Sequence, residues 1–136
     1  MKKHLWYLCF AVATMLVFSS CAAQLKPLTA SEFQTEMQEN GLEVLDFTVD
    51  MGMDGPGEAA LFAFGQNGLV LEFYVMADAA AAEASFEGMK QDLEAIVMGE
   101  DTQGSSVETG KNYQKIELQG NGHYGVMCQV EHTLLY

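Results

Sequence analysis

The stretch AALFAFGQNGLVLEFYV, residues 59–75, decides the fold. Two apolar runs, Ala59 to Phe64 and Leu69 to Val75, flank Asn67-Gly68. An Asn-Gly pair in that setting is the strongest short hairpin signal, because both residues tolerate the positive φ of a tight reversal. On the second arm Leu69, Leu71, Phe73 and Val75 share one face, and Glu72 and Tyr74 share the other.

Downstream, Asp78 is placed to cap a run from Ala79 to about Met98. In it Ala82, Phe86, Met89, Leu93 and Ile96 fall at helical spacing and form one apolar stripe, which needs a sheet to cover. Gly99 to Gly110 reads as a polar loop. Strands from about Tyr113 to Leu118 and from His123 to Val130 flank a second Asn-Gly, Asn121-Gly122. A turn at Glu131-His132-Thr133 leads into a last short strand over Thr133 to Tyr136.

Upstream, Leu45, Phe47 and Val49 alternate with polar neighbours as a first strand, and the Gly- and Pro-rich segment Met51 to Gly57 ends it. Before it, Leu28-Thr29-Ala30-Ser31-Glu32-Phe33 carries complete helix-start chemistry. Thr29 caps, Glu32 closes the Thr-x-x-Glu box, and Leu28 staples against Phe33. Asn40-Gly41 supplies a left-handed stop, so a helix is expected from about Ala30 to Asn40. The order is α-β-β-β-α-β-β-β. The economical fold is a single α+β domain over residues 28–136, with an antiparallel sheet of about five to six strands and both helices packed on one face.

The chain opens differently. Lys2-Lys3-His4 precedes Leu5 to Phe18, fourteen residues without a charge. As a helix this run would be about 21 Å long, short of the roughly 30 Å hydrocarbon core, so residues 1–20 read as a signal peptide and not a stable span. Phe18-Ser19-Ser20-Cys21-Ala22-Ala23 resembles the lipobox of bacterial lipoproteins, in which cleavage falls before the cysteine and its thiol carries a diacylglycerol. Phe18 stands where Leu, Val or Ile is usual. The rival reading is an ordinary secretory peptide cut after Cys21-Ala22-Ala23. Lipid attachment at Cys21 gives two acyl chains, enough for stable anchoring. Residues 21–27 are then a short tether, and Ala22 to Lys26 reaches about 20 Å at most.

Charge excludes one class of partner. All 19 acidic residues follow the signal segment, against Lys26, Lys90, Lys111 and Lys115 and no arginine. Nucleic acid, which is held by neutralising phosphates, is therefore excluded, and anionic lipid is repelled, leaving the Cys21 lipid as the contact with the membrane. With Cys9 in the signal and Cys21 lipidated, Cys128 is the one free thiol, and no internal disulfide is expected.

Catalytic signatures are sparse. Cys128 alternates with Tyr124, Val126 and Val130 toward one side of its strand, while His123 faces the other and His132 lies in a turn about 13 Å on. This is a buried structural thiol, not a nucleophile with a base. Asp50 to Glu58 imitates two positions of a calcium loop, but Gly52 and Leu61 stand where ligands are needed, so it reads as an acidic turn. Met51-x-Met53 offers two thioethers suited to Cu(I), although further methionines or a histidine are not near in sequence. There is no Gly-x-Ser-x-Gly, phosphate loop, His-Glu-x-x-His or Cys-x-x-Cys.

The lipobox together with the closing Val130-Glu131-His132-Thr133-Leu134-Leu135-Tyr136 resembles a group of small uncharacterised lipoproteins of Gram-positive bacteria, whose endpiece is Gly-Asn-Thr-Leu before aromatics. Here Glu131-His132 replaces Gly-Asn. The resemblance implies an anchored α+β domain on the outer side of the cell membrane and brings no activity with it. The expectation is a non-catalytic binding or accessory module without cofactor, partnered by an envelope protein or small ligand. The alternatives are an extracytoplasmic metal binder using Met51, Met53 and nearby acids of that loop, and a small envelope hydrolase whose acid or thiol cluster only folding would assemble.

Overall fold

The computed structural model describes residues 24–97, 102–120 and 122–136. Residues 1–23, which hold the expected signal peptide and Cys21, and residues 98–101 and 121 lie outside the described residues. Helix α1 runs Ala30–Glu39 and begins as its sequence dictates. Thr29 Oγ1 accepts from the Glu32 N–H at 3.2 Å, and Glu32 Oε2 accepts from the Thr29 N–H at 2.8 Å. It ends on Gly41 at φ 79°, where the Leu42 N–H reaches Met37 O and the Gly41 N–H reaches Gln38 O. This is the six-to-one and five-to-two pattern that a glycine just beyond a helix permits.

Strands β1 (Glu43–Asp46), β2 (Ala59–Phe64) and β3 (Val70–Val75) follow, then α2 (Ala79–Val97). Strands β4 (Thr102–Thr109), β5 (Tyr113–Gly120), β6 (His123–Val130) and β7 (Thr133–Leu135) complete one antiparallel sheet in the order β1-β2-β3-β7-β6-β5-β4. The predicted hairpins form. Gln66–Gly68 turns β2 into β3, Gly120 pairs with His123 across the second Asn-Gly, and Asp78 Oδ1 caps α2 through the Ala81 N–H at 2.8 Å.

Three expectations are corrected. The sheet has seven strands, because the polar segment expected as a loop contains β4, a Thr/Ser/Gln edge strand held by its ladder to β5. Cross-strand pairing, not burial of a hydrophobic face, makes it a strand. The first strand is shorter and earlier than Leu45, Phe47 and Val49 suggested. It ends at Asp46, whose Oδ1 accepts from the Thr48 N–H at 2.9 Å, and Val49 is 88% exposed in the turn beyond.

The third correction is architectural: the helices pack on opposite faces of the sheet. Alternation along β2 and β3 sends Leu61, Ala63, Phe73 and Val75 to Phe33 and Met37 of α1, and Ala60 and Tyr74 to the cluster built on Ala82, Phe86, Leu93 and Val97 of α2. The apolar residues of β2 occupy both parities, so both of its faces need cover. The α2 stripe is corrected at its end as well: Val97, four residues after Leu93, closes it, and the expected Ile96 is 53% exposed. Close approach of α2 rests on Gly125, where a Cβ would stand 2.3 Å from Leu93 Cδ1. The β6–β7 turn puts Glu131 at φ 52°, a conformation that favours glycine.

Candidate functional site

Helix α2 lies over β5, β6 and β7, while α1 lies over β1, β2 and β3 on the other side. The face of β3 that α1 does not use is therefore bordered on one flank by α2 and on the other by the loop after β1. That loop folds inward through Phe47, whose ring sits 4.9 Å from Phe62, and through Met53. Its own hydrogen bonds fix it: Met51 N–H to Phe47 O, Met53 N–H to Thr48 O, and the Ala60 N–H to Thr48 Oγ1 at 3.0 Å.

Between the two flanks lies an open cavity of about 570 Å³. Loop residues Met51 and Met53 form one wall, Ser85, Gly88, Met89 and Asp92 of α2 form the other, and Glu72, Tyr74, Met76, Leu134 and Tyr136 form the floor and end. A space of this size is typical of small-molecule sites, which combine apolar walls with a few placed polar groups. Gly88 leaves its wall low, since a Cβ built there meets nothing within 4 Å.

The polar groups of the cavity are ordered. Tyr74 Oη donates to Glu72 Oε2 at 2.6 Å, and burial together with that carboxylate holds the Tyr74 hydroxyl far above its usual range. Burial also raises Tyr136, with Glu72 and then Asp92 adding to it, which places both carboxylates within electrostatic reach of one phenol. Both phenols stay protonated at neutral pH, and the Tyr74 proton is the one donated to Glu72. Among the described residues no lysine lines the cavity, and neither Glu72 nor Asp92 forms an ion pair.

The residues singled out in the sequence separate. Met51 and Met53 are brought together with Met76 and Met89, the thioethers missing from their own stretch. Glu58 instead turns inward on its loop, Oε2 accepting from the Gly55 N–H at 2.7 Å. Among the described residues no three of His, Cys, Asp and Glu converge as metal ligands. Cys128 is buried on the α1 face beside Lys115 of β5, and burial pushes its thiol up to about 11. His123 is exposed at the start of β6, and His132 sits in the β6–β7 turn with its carbonyl accepting from the Met76 N–H at 2.8 Å. Cys21 lies outside the described residues.

Sequence reasoning missed Met76, Met89, Asp92 and Tyr136 as site residues. The available signal was Glu72 and Tyr74 sharing a strand face otherwise flanked by apolar runs. No known family model matches this chain, and no curated protein or solved structure does.

Proposed function

We propose that this chain is a lipid-anchored, non-catalytic binding module at the outer surface of the cell membrane, holding a small ligand in the cavity between α2 and the loop after β1. The observation that carries the reading is the cavity of about 570 Å³, in which four thioethers and two tyrosines surround two carboxylates. Methionine is unbranched and polarisable, and is favoured where a wall must adapt to what it holds. The thiol that could act as a nucleophile is buried on the opposite face of the sheet, away from this space.

Anchoring is supported by the lipobox-like segment that closes on Cys21; the chain just after it is held on the β4–β5 turn. Asn112 Oδ1 accepts from the Leu25 N–H at 3.0 Å, and Asn112 Nδ2 donates to Leu25 O at 2.7 Å. With Leu25 four residues from Cys21, the β4–β5 turn lies within about 14 Å of the acylated residue. The same end of the sheet carries Glu131, bonded to Asn112, and Met76, bonded to His132.

Fractionation of cells expressing the full chain and Cys21→Ala tests the reading. The parent is expected in membranes and the variant in the soluble extracytoplasmic fraction; continued sedimentation of the variant with membranes would overturn it.

A second reading, extracytoplasmic Cu(I) binding, is favoured by the gathering of Met51, Met53, Met76 and Met89 around one space, since thioethers suit that soft ion. Titration with Cu(I) against a competing chelator decides it. Undiminished uptake by a Met51→Leu/Met53→Leu variant would remove these residues from the site.

A further inference from the structure

We propose that the cavity selects an organic cation with an apolar body, a primary or quaternary amine on an aryl or alkyl chain, with Glu72 and Asp92 as its counter-charges. This rests on the cavity being a ligand site and adds the ligand's chemical class. The walls are mainly carbon and sulfur: Met51, Met53, Met76, Met89 and Leu134. They take an apolar body of adaptable shape. The charged groups are of one sign, one on the sheet and one on α2, so the space between them attracts a cation and repels an anion.

Glu72 is already oriented. Its Oε2 accepts from Tyr74 Oη at 2.6 Å, which holds the carboxylate and leaves its other oxygen free of that bond. The rings of Tyr74 and Tyr136 line the same space, and aromatic faces favour ammonium groups. Tyr74 is itself fixed edge-on to Phe62, with ring centroids 5.9 Å apart and planes at 81°. A carboxylic acid ligand would place its charge against Glu72 and Asp92 with no lysine at the wall. A sugar would find few donors and acceptors beyond Ser85 and the two phenols. A bare divalent cation would find two carboxylates on separate elements in a space far larger than its coordination shell, where the remaining lining is sulfur, carbon and phenol.

The test uses three molecules that share one body: 4-phenylbutylammonium, 4-phenylbutanol and 4-phenylbutyrate. Each is titrated calorimetrically into the full chain held in phosphatidylcholine nanodiscs, with empty nanodiscs subtracted. The amine is expected to bind at least tenfold more tightly than the alcohol, and the carboxylate more weakly than either. Asp92→Asn, at an exposed position on the α2 wall of the cavity, should weaken the amine about threefold to tenfold and the alcohol less. Glu72→Gln/Asp92→Asn should bring the amine to the alcohol's affinity. Gly88→Leu projects a side chain into the space from a helical position that prefers leucine to glycine, so it should abolish binding of the amine and the alcohol while Tm holds or rises. Equal binding of amine and alcohol, or tighter binding of the carboxylate, overturns the cation and leaves the cavity as a ligand site. Binding unaffected by Gly88→Leu, or no binding by any of the three, overturns both.

Discussion

The two faces of the sheet are closed differently. On the α1 face a helix of ten residues meets the strands through a stack of Phe33 on Phe73, centroids 4.7 Å apart and planes within 13°. Met37, Leu61, Ala63 and Val75 fill the space around that stack. The other face carries a helix of nineteen residues, yet it is the face with the large cavity. Length of cover is therefore not what closes a core. The short helix is centred over the three strands it buries, whereas α2 lies over β5 to β7 and leaves β3 to the loop after β1. Packed side chains serve stability on one face; on the other, part of that packing is given up for a space lined by flexible thioethers.

The largest effect should come from breaking the closed face. Phe73→Ala removes half of the ring stack from a site 2% exposed, and is expected to lower unfolding free energy by about 3–5 kcal/mol in urea melts. The cavity's own residues are untouched by this change.

Next is the point where α2 comes nearest the sheet. Gly125→Val puts carbon where Leu93 already stands, and overpacking of about 1–3 kcal/mol is expected in the same melts. If the stability of Gly125→Val equals that of the parent, α2 is free to shift outward and the contrast between a tight half and an open half of its face is lost.

The smallest effect is at the start of α1. Backbone and side-chain bonding by Thr29 and the Lys26 ammonium lower Glu32 from 4.5 to about 2. A depressed carboxylate stabilises the fold above its unfolded value, and that contribution is lost as pH falls from about 4.5 through about 2. Between those values Glu32→Gln, which keeps a box-forming side chain without the charge, should show a shallower fall in Tm than the parent. Identical profiles would mean that the α1 cap carries no charge-dependent stability.

Much of this molecule was legible in its residues because the signals are local. Thr29 with Glu32 makes a capping box wherever that helix lies, Asn40-Gly41 ends it, and Asn67-Gly68 reverses the chain between two apolar arms without reference to anything distant. The α2 stripe as far as Leu93 and the inward side of Cys128 follow from the 3.6 and 2.0 periods alone, whereas the last buried residue of that stripe is Val97 and not the expected Ile96. Strand β4 was not legible, since Thr102–Thr109 carries little apolar signal and is a strand because β5 lies beside it.

The placement of the helices belongs to tertiary structure. Alternation shows that β2 and β3 have two faces, but which helix covers which face depends on where each connection lets its helix land. The same holds for the cavity. Met51 and Met53 are visible as a pair in sequence; Met76 lies 23 residues beyond Met53 and Met89 a further 13, and they meet only because β3 runs between α2 and a loop fixed by Phe47 and Thr48. Sequence by itself determined the elements, their ends and the inward residues, because those depend on neighbours within a turn or a hairpin. The tertiary structure decided the layers and the cavity, because those depend on contacts between residues far apart in the chain.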